Sequence, residues 1–209
     1  MPTNTFLRLP DDKKERVLQA AIEEFAIRNL TEAKLLHISK NAGISKGSIY
    51  QYFKSKEDLY VFVIEHCRQK RAEYTRVSSV LYKETPFFDF FEELYIRDTE
   101  YLLLNPTHLE VGKQMYSSSD PVSKNLVLSQ QMKYRDRFLV GIEFDKTYGI
   151  IDPNVNSALL AELCTYLLTN FMFVKTPSLH LSLHNVKEHC QNTLFIIKNG
   201  ALLRQSDPI

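Results

Sequence analysis

Lys46, Tyr50, Gln51, Tyr52, Lys54 and Lys56 fall close together in the chain, with hydroxyls at Ser45 and Ser48 and a glycine at Gly47. Ammonium and phenol groups at this density suit phosphate oxygens, and Gln51 carries the amide that reads a base edge. Lys46 is placed to reach a phosphate or a guanine edge, and Gly47 lets the backbone approach closely. The chemistry implied is nucleic-acid binding. Between Glu32 and Glu57 there is no acidic residue, while Lys34, Lys40, Lys46, Lys54 and Lys56 are all positive. The whole chain has a formal charge of only +1, so the remainder is net acidic. That distribution suits a body that does not adhere to DNA indiscriminately.

Something must hold these side chains in register. Leu35, Ile38 and Ala42 recur at helical spacing, Gly43 breaks the pattern, and Ser45 is placed to cap a further helix. That helix, Lys46 to Phe53, has Ile49 and Phe53 as an inward pair and leaves Lys46, Ser48, Tyr50 and Gln51 facing outward. Upstream, a helix from Asp11 or Asp12 to about Asn29 carries a core stripe of Leu18, Ala21, Ile22 and Phe25, with Asp12 and Glu15 as its candidate capping pair. Helix, short helix, glycine turn and helix is the order that lays the last element across a major groove. Its N-terminus then directs free N–H groups and positive dipole at phosphate.

The run from Ala42 to Leu59, AGISKGSIYQYFKSKEDL, resembles the signature of TetR-family transcriptional regulators, and Ala20 to Ala26 resembles their first helix. The resemblance covers about the first 65 residues. It implies an all-helical homodimer, usually a repressor, whose C-terminal domain binds a ligand that alters the spacing of two recognition helices. It also implies phosphate contacts by Tyr50, Tyr52 and Lys56, with base or backbone contacts near Lys46, Gly47, Ser48 and Gln51. Where the family commonly has Gly-Tyr and then Thr-Thr or Thr-Ser, this chain has Asn29-Leu30 and Ala33-Lys34. The hydroxyl that caps the second helix is absent, and Thr31 or Lys34 is the candidate substitute.

Beyond the motif, Ser55 opens a fourth helix expected to run to near Tyr82. Thr85-Pro86, Asp120-Pro121 and Asp152-Pro153 read as cap-plus-proline helix starts, and Asn105-Pro106 as an end and restart. A last helix begins after Pro177-Ser178 and reaches Asn199. The expectation is an all-α protein of about nine helices: a helix-turn-helix domain over 1–55 and a larger helical ligand-binding and dimerisation domain over 56–209. Val155 to Val174 is apolar nearly throughout, yet Glu162 and several polar residues argue against a membrane span. Such a helix needs cover, and a second copy supplies it, with Leu160, Leu163, Leu167 and Leu168 meeting Leu194 and Phe195 in a four-helix interface. Aromatic and polar residues set among apolar ones, namely Tyr95, Arg97, Tyr101, His108, Gln114, Tyr116, Asn170 and Phe171, are the candidates for lining an effector cavity.

Length (209 residues) and 44% apolar content allow a sizeable core. Three distant cysteines exclude a disulfide framework and a CxxC metal signature. His180, His184 and Glu188 have the spacing of a helix-face metal site but equally that of a solvated face. No phosphate loop or GxSxG motif occurs, so neither catalysis nor a cofactor is expected. With no apolar leader at the N-terminus, the expected location is the cytoplasm. The expected partners are double-stranded operator DNA, a second copy of the chain and a small lipophilic effector. A regulator that binds DNA constitutively is the alternative, and a filled rather than hollow C-terminal core would mark it.

Overall fold

The computed structural model describes residues 1–75, 85–174 and 182–199, with only the backbone described for 170–174. Among these residues there are ten α-helices and no strand. The helix-turn-helix is built from α2 (Asp11–Ile27), α3 (Leu35–Asn41) and α4 (Lys46–Tyr52), preceded by a one-turn α1 (Asn4–Leu7). The body comprises α5 (Lys56–Thr75), α6 (Phe87–Leu104), α7 (Pro106–Ser117), α8 (Pro121–Thr147), α9 (Ser157–Val174) and α10 (Leu183–Asn199).

Most boundaries are set by local chemistry. Ser45, Ser55 and Asp120 each accept a hydrogen bond from the backbone N–H three residues on, and Pro106 and Pro121 occupy first-turn positions where no N–H is needed. Two expected starts are displaced. Pro86 is the residue before α6, and the Phe87 N–H is satisfied by Asp145 Oδ2 of α8 at 2.7 Å. Asp152-Pro153 does not open α9, because Asp152 Oδ1 accepts from Asn154 N–H in a turn and Asn156 Oδ1, accepting from Leu159 N–H, caps the helix instead. The stretch from Thr75 to Tyr82 and the start expected at Pro177 fall largely outside the described residues. The described part of α10 opens on Ser182, whose Oγ accepts from Asn185 N–H. The unexpected α1 is capped by Thr3 and inserts Phe6 among Tyr52, Phe53 and Phe62.

Two apolar cores result. One joins α1 to α5 and includes Val17, Phe25, Ile38, Ile49, Phe53, Leu59 and Tyr60; the other joins α6, α8, α9 and α10 around Phe87, Phe91, Phe138, Ile142, Cys164 and Cys190. α7 belongs to both, since Val111 and Met115 enter the first and Leu109 the second. No described helix is long and apolar enough to cross a membrane. α9 is two-faced: Leu160, Ala161, Cys164 and Leu168 are buried within the subunit, while Leu159, Leu163 and Tyr166 are about half exposed.

Gly43 joins α3 to α4 with φ of 66°, and its N–H donates to Lys40 O at 3.2 Å. A Cβ there would meet only Arg16 Nη1 at 3.6 Å, an ordinary contact, so the cost of a side chain is backbone strain alone. Gly43→Ala should lower stability by about 1 kcal/mol, read from urea unfolding, and Gly43→Asn by less because asparagine tolerates this conformation.

Candidate nucleic-acid interface and ligand cavity

α4 turns Ile49 and Tyr52 inward, with Phe53 just beyond its end, and leaves Lys46, Gly47, Tyr50 and Gln51 exposed. Ser45 Oγ accepts from Ser48 N–H at 3.1 Å and lies 2.9 Å from the Ser48 hydroxyl. Lys54, Lys34 and Lys40 are also exposed. Of the residues predicted to touch nucleic acid, Ser45, Lys46, Gly47, Tyr50, Gln51 and Lys54 therefore share the solvent side of one short helix and its flanks. Ser48 is half-buried. Tyr52 is set apart: it is 3% exposed, its ring 5.9 Å from that of Phe6, and its carbonyl accepts from Thr3 N–H. Thr3 Oγ1 also donates to Gln51 O at 2.7 Å, so the segment before α1 holds the end of α4. The one signal for this in the sequence is Thr3 as a cap ahead of Phe6.

The start of α3 is solved differently from the hydroxyl cap expected there. Lys34 is the residue before the helix and gives no side-chain cap; its N–H donates to Glu24 Oε1 at 2.9 Å. Glu24, only 4% exposed, also takes Arg28 Nη1 at 2.9 Å and sits 3.2 Å from His37 Nδ1. Thr31 participates through its backbone: its N–H donates to Asn29 Oδ1, and its carbonyl accepts from Lys56 Nζ at 3.0 Å. Lys56 Nζ donates equally to Ala33 O, at 3.0 Å.

In the body, α5 to α8 and Thr169 of α9 enclose a cavity of about 450 Å³. Ile64, Leu94, Leu102, Val111 and Met115 give it apolar walls. Its polar features are an Arg71–Asp98 ion pair bridging α5 and α6, a hydrogen bond between the Tyr101 hydroxyl and His108 Nδ1 at 2.7 Å, and the side chains of Arg68, Lys133 and Arg137. Arg68 is held by Glu65 at 2.8 Å and by Leu126 O at 2.7 Å. Burial pushes the Tyr101 and Tyr116 hydroxyls and the Cys67 thiol up to about 12, and it pushes His108 below the ordinary histidine value. These groups are neutral near pH 7. Burial also raises the Asp98 carboxyl, and the adjoining Arg71 guanidinium opposes that rise.

Three of the side chains predicted to line a cavity do so: Tyr101, His108 and Tyr116. Tyr95 packs in the core against Phe91, Arg97 pairs with Glu93 at 2.6 Å, and Gln114 Nε2 donates to Ile27 O of α2. These three stand off the cavity. The side chains of Asn170 and Phe171, like His180, lie outside the described residues. Arg68, Arg71, Asp98 and Arg137 are lining residues that the sequence pattern does not single out. Asp98, a carboxylate embedded in the apolar run of α6, is the available signal.

Residues 17–61 match the model for bacterial regulatory proteins of the tetR family. The HTH-type transcriptional regulator YdgC of Bacillus subtilis is 40% identical over 53 residues, 25% of this chain and 27% of its own. YvdT of the same organism is 30% identical over 105 residues, 50% of this chain and 52% of its own. The match to the TetR family is thus one of the head, residues 17–61. The chain spans between about a fifth and a half of the length of the curated relatives it matches. FadR of Bacillus subtilis, solved in complex with stearoyl-CoA, superposes with a TM-score of 0.71 at 15% identity, covering 90% of this chain and 99% of that one. That likeness is one of fold: the TetR-type head followed by a helical bundle.

The faces that α9 and α10 leave open differ from the set predicted to meet a partner. Leu160, Leu168 and Leu194 are buried inside the subunit and Leu167 is half-buried, whereas Leu163 and Phe195 are exposed. Leu159 and Tyr166 of α9 and Ile196 of α10 are exposed as well.

The Glu24 cluster predicts an outcome. Glu24→Ala removes the acceptor of one backbone N–H and two side chains, and should destabilise by about 2 kcal/mol. Glu24→Gln keeps an acceptor for Lys34 N–H and should cost less. Urea unfolding of both variants reads the difference.

Proposed function

We propose that this TetR-family chain is a homodimeric transcriptional regulator that binds double-stranded operator DNA through α4 and is released by a small lipophilic effector held in the α5–α8 cavity, acting in the cytoplasm as a repressor. The observation that carries the DNA reading is the outer face of α4, where Lys46, Gly47, Tyr50 and Gln51 are exposed within an acid-free stretch of a nearly neutral chain. Lys46, Tyr50 and Lys54 supply phosphate donors, and Gln51 and Lys46 reach base edges. The head, residues 1–55, then carries recognition, and residues 56–209 carry pairing and sensing.

The cavity supports sensing over constitutive binding. A filled bundle would leave no room for a guest, whereas about 450 Å³ with apolar walls accommodates a medium-sized amphiphile. Cations outnumber anions on its lining, Arg68, Arg71, Lys133 and Arg137 against Glu65 and Asp98, which favours a guest with a negative end. A fatty acyl group carried on a phosphorylated or carboxylate head has that character, as does the stearoyl-CoA bound by the FadR of similar fold.

Selection of duplexes from a random pool by the full-length protein should recover a palindromic site, as two-fold pairing of recognition helices requires. Lys46→Glu should abolish binding to that duplex while thermal stability stays within about 0.5 kcal/mol; undiminished affinity would overturn the assignment. Long-chain acyl-CoA added to the complex should lower fluorescence anisotropy of the labelled duplex, and no release across a chain-length series would remove the proposed effector class. Leu163→Glu should convert dimers to monomers in sedimentation, whereas Leu168→Glu, buried at 1% exposure, should unfold the body.

A further inference from the structure

We propose that Lys56 is a positioning residue, the tie that fixes the loop ahead of α3 to the first turn of α5, and not one of the phosphate contacts. The inference rests on the DNA-binding reading of α4 only for its consequence; the tie itself stands on geometry.

The loop Arg28–Lys34 connects α2 to α3 with no regular structure of its own, so its polar backbone groups need other partners. Four consecutive amides are met from within the head. Thr31 and Glu32 N–H donate to Asn29 Oδ1 at 3.0 and 3.1 Å, Ala33 N–H to Asn29 O at 3.0 Å, and Lys34 N–H to Glu24 Oε1 at 2.9 Å. Two of the carbonyls, Thr31 O and Ala33 O, both accept from one ammonium, Lys56 Nζ, each at 3.0 Å. Lys56 is half-buried, unlike the exposed Lys34, Lys40, Lys46 and Lys54 of the same basic stretch. An ammonium has three protons, and two are committed here to backbone carbonyls of the loop.

The attachment matters because of what lies at its other end. Lys56 is the first residue of α5, and Ile64, Cys67, Arg68 and Arg71 of that helix line the cavity. Besides the shared apolar core, this side chain fastens α5 to the loop that opens α3, and α3 is joined to α4 by the short turn through Gly43. Lys56 adds a polar anchor to the apolar packing that places α3, and with it the recognition helix, relative to the body.

Two measurements on full-length protein separate a tie from a phosphate contact. Lys56→Met keeps the aliphatic stem and removes the donors; Lys56→Arg restores donors. Without DNA, hydrogen exchange at the amides of residues 31–35 should quicken about tenfold in Lys56→Met and return toward the parent rate in Lys56→Arg; an unchanged rate in Lys56→Met overturns the proposal. With the duplex recovered by the parent protein from a random pool, Lys56→Met should weaken binding by a similar factor at every salt concentration, leaving the slope of log Kd against log salt unaltered. Lys46→Met and Lys54→Met should each reduce that slope by about 1.8, one phosphate contact being lost in each of the two subunits on the duplex. A slope reduction of that size in Lys56→Met makes it a phosphate contact and overturns the proposal. If the parent protein selects no duplex, the DNA reading fails while the exchange experiment still decides the role of Lys56.

Discussion

A helix of seven residues has no stability of its own in water, because nucleation costs more than so few hydrogen bonds return. α4 is such a helix, and its place is dictated by what its inner face packs against. Ile49 and Phe53 are buried among residues of the first core, Tyr52 lies against Phe6, and the preceding turn depends on Gly43. The head's other features serve this requirement. α2 supplies the apolar floor with Val17, Ala21 and Phe25, α1 closes the far end, and Glu24 and Lys56 fix the approach to α3. The exposed side chains of α4 are free of any structural duty because the helix is held in place by its inner face.

The body meets a different constraint. Its core cannot be separated from that of the head, since α7 contributes Val111 and Met115 to one and Leu109 to the other, while His108, Gly112 and Tyr116 of the same helix face the cavity. A guest that moves α7 therefore acts on α2 through direct packing, and one that moves α5 acts on the head through its first turn. The Arg71–Asp98 pair lies on the second of these routes, bridging α5 and α6 in the cavity wall. Buried ion pairs of this kind add little to net stability but penalise strongly any arrangement that parts them.

What the sequence disclosed and what it hid divide along the range of the interactions concerned. The limits of α3 and α4 were legible because Gly43, Ser45 and the Ile49–Phe53 pair act within a few residues. The capping of α3 was not, because its acceptor is Glu24, ten positions earlier, and the carbonyls beside it are met by Lys56, more than twenty positions later. Asp152-Pro153 reads as the start of α9, whereas in the packed structure Asn156 caps it. For the same helix, an apolar run that continues around the whole circumference has no phase to read, so Leu160 and Leu168 could not be told from Leu159 and Leu163. The cavity was partly legible, in Tyr101, His108 and Tyr116, but an internal void arises from how several helices fail to fill the space between them, and no local pattern encodes that.

The shifted ionisations around the cavity bear on its response to acid. Tyr101, Tyr116 and Cys67 are driven upward and His108 downward, so none changes charge when acidity moves by a unit around neutrality. Those four groups therefore hold one charge state across that range, and the carboxyl of Asp98 keeps Arg71 beside it. A guest recognised through these groups would meet the same neutral surfaces on either side of neutrality, so its occupancy would follow its own abundance rather than the acidity of the medium.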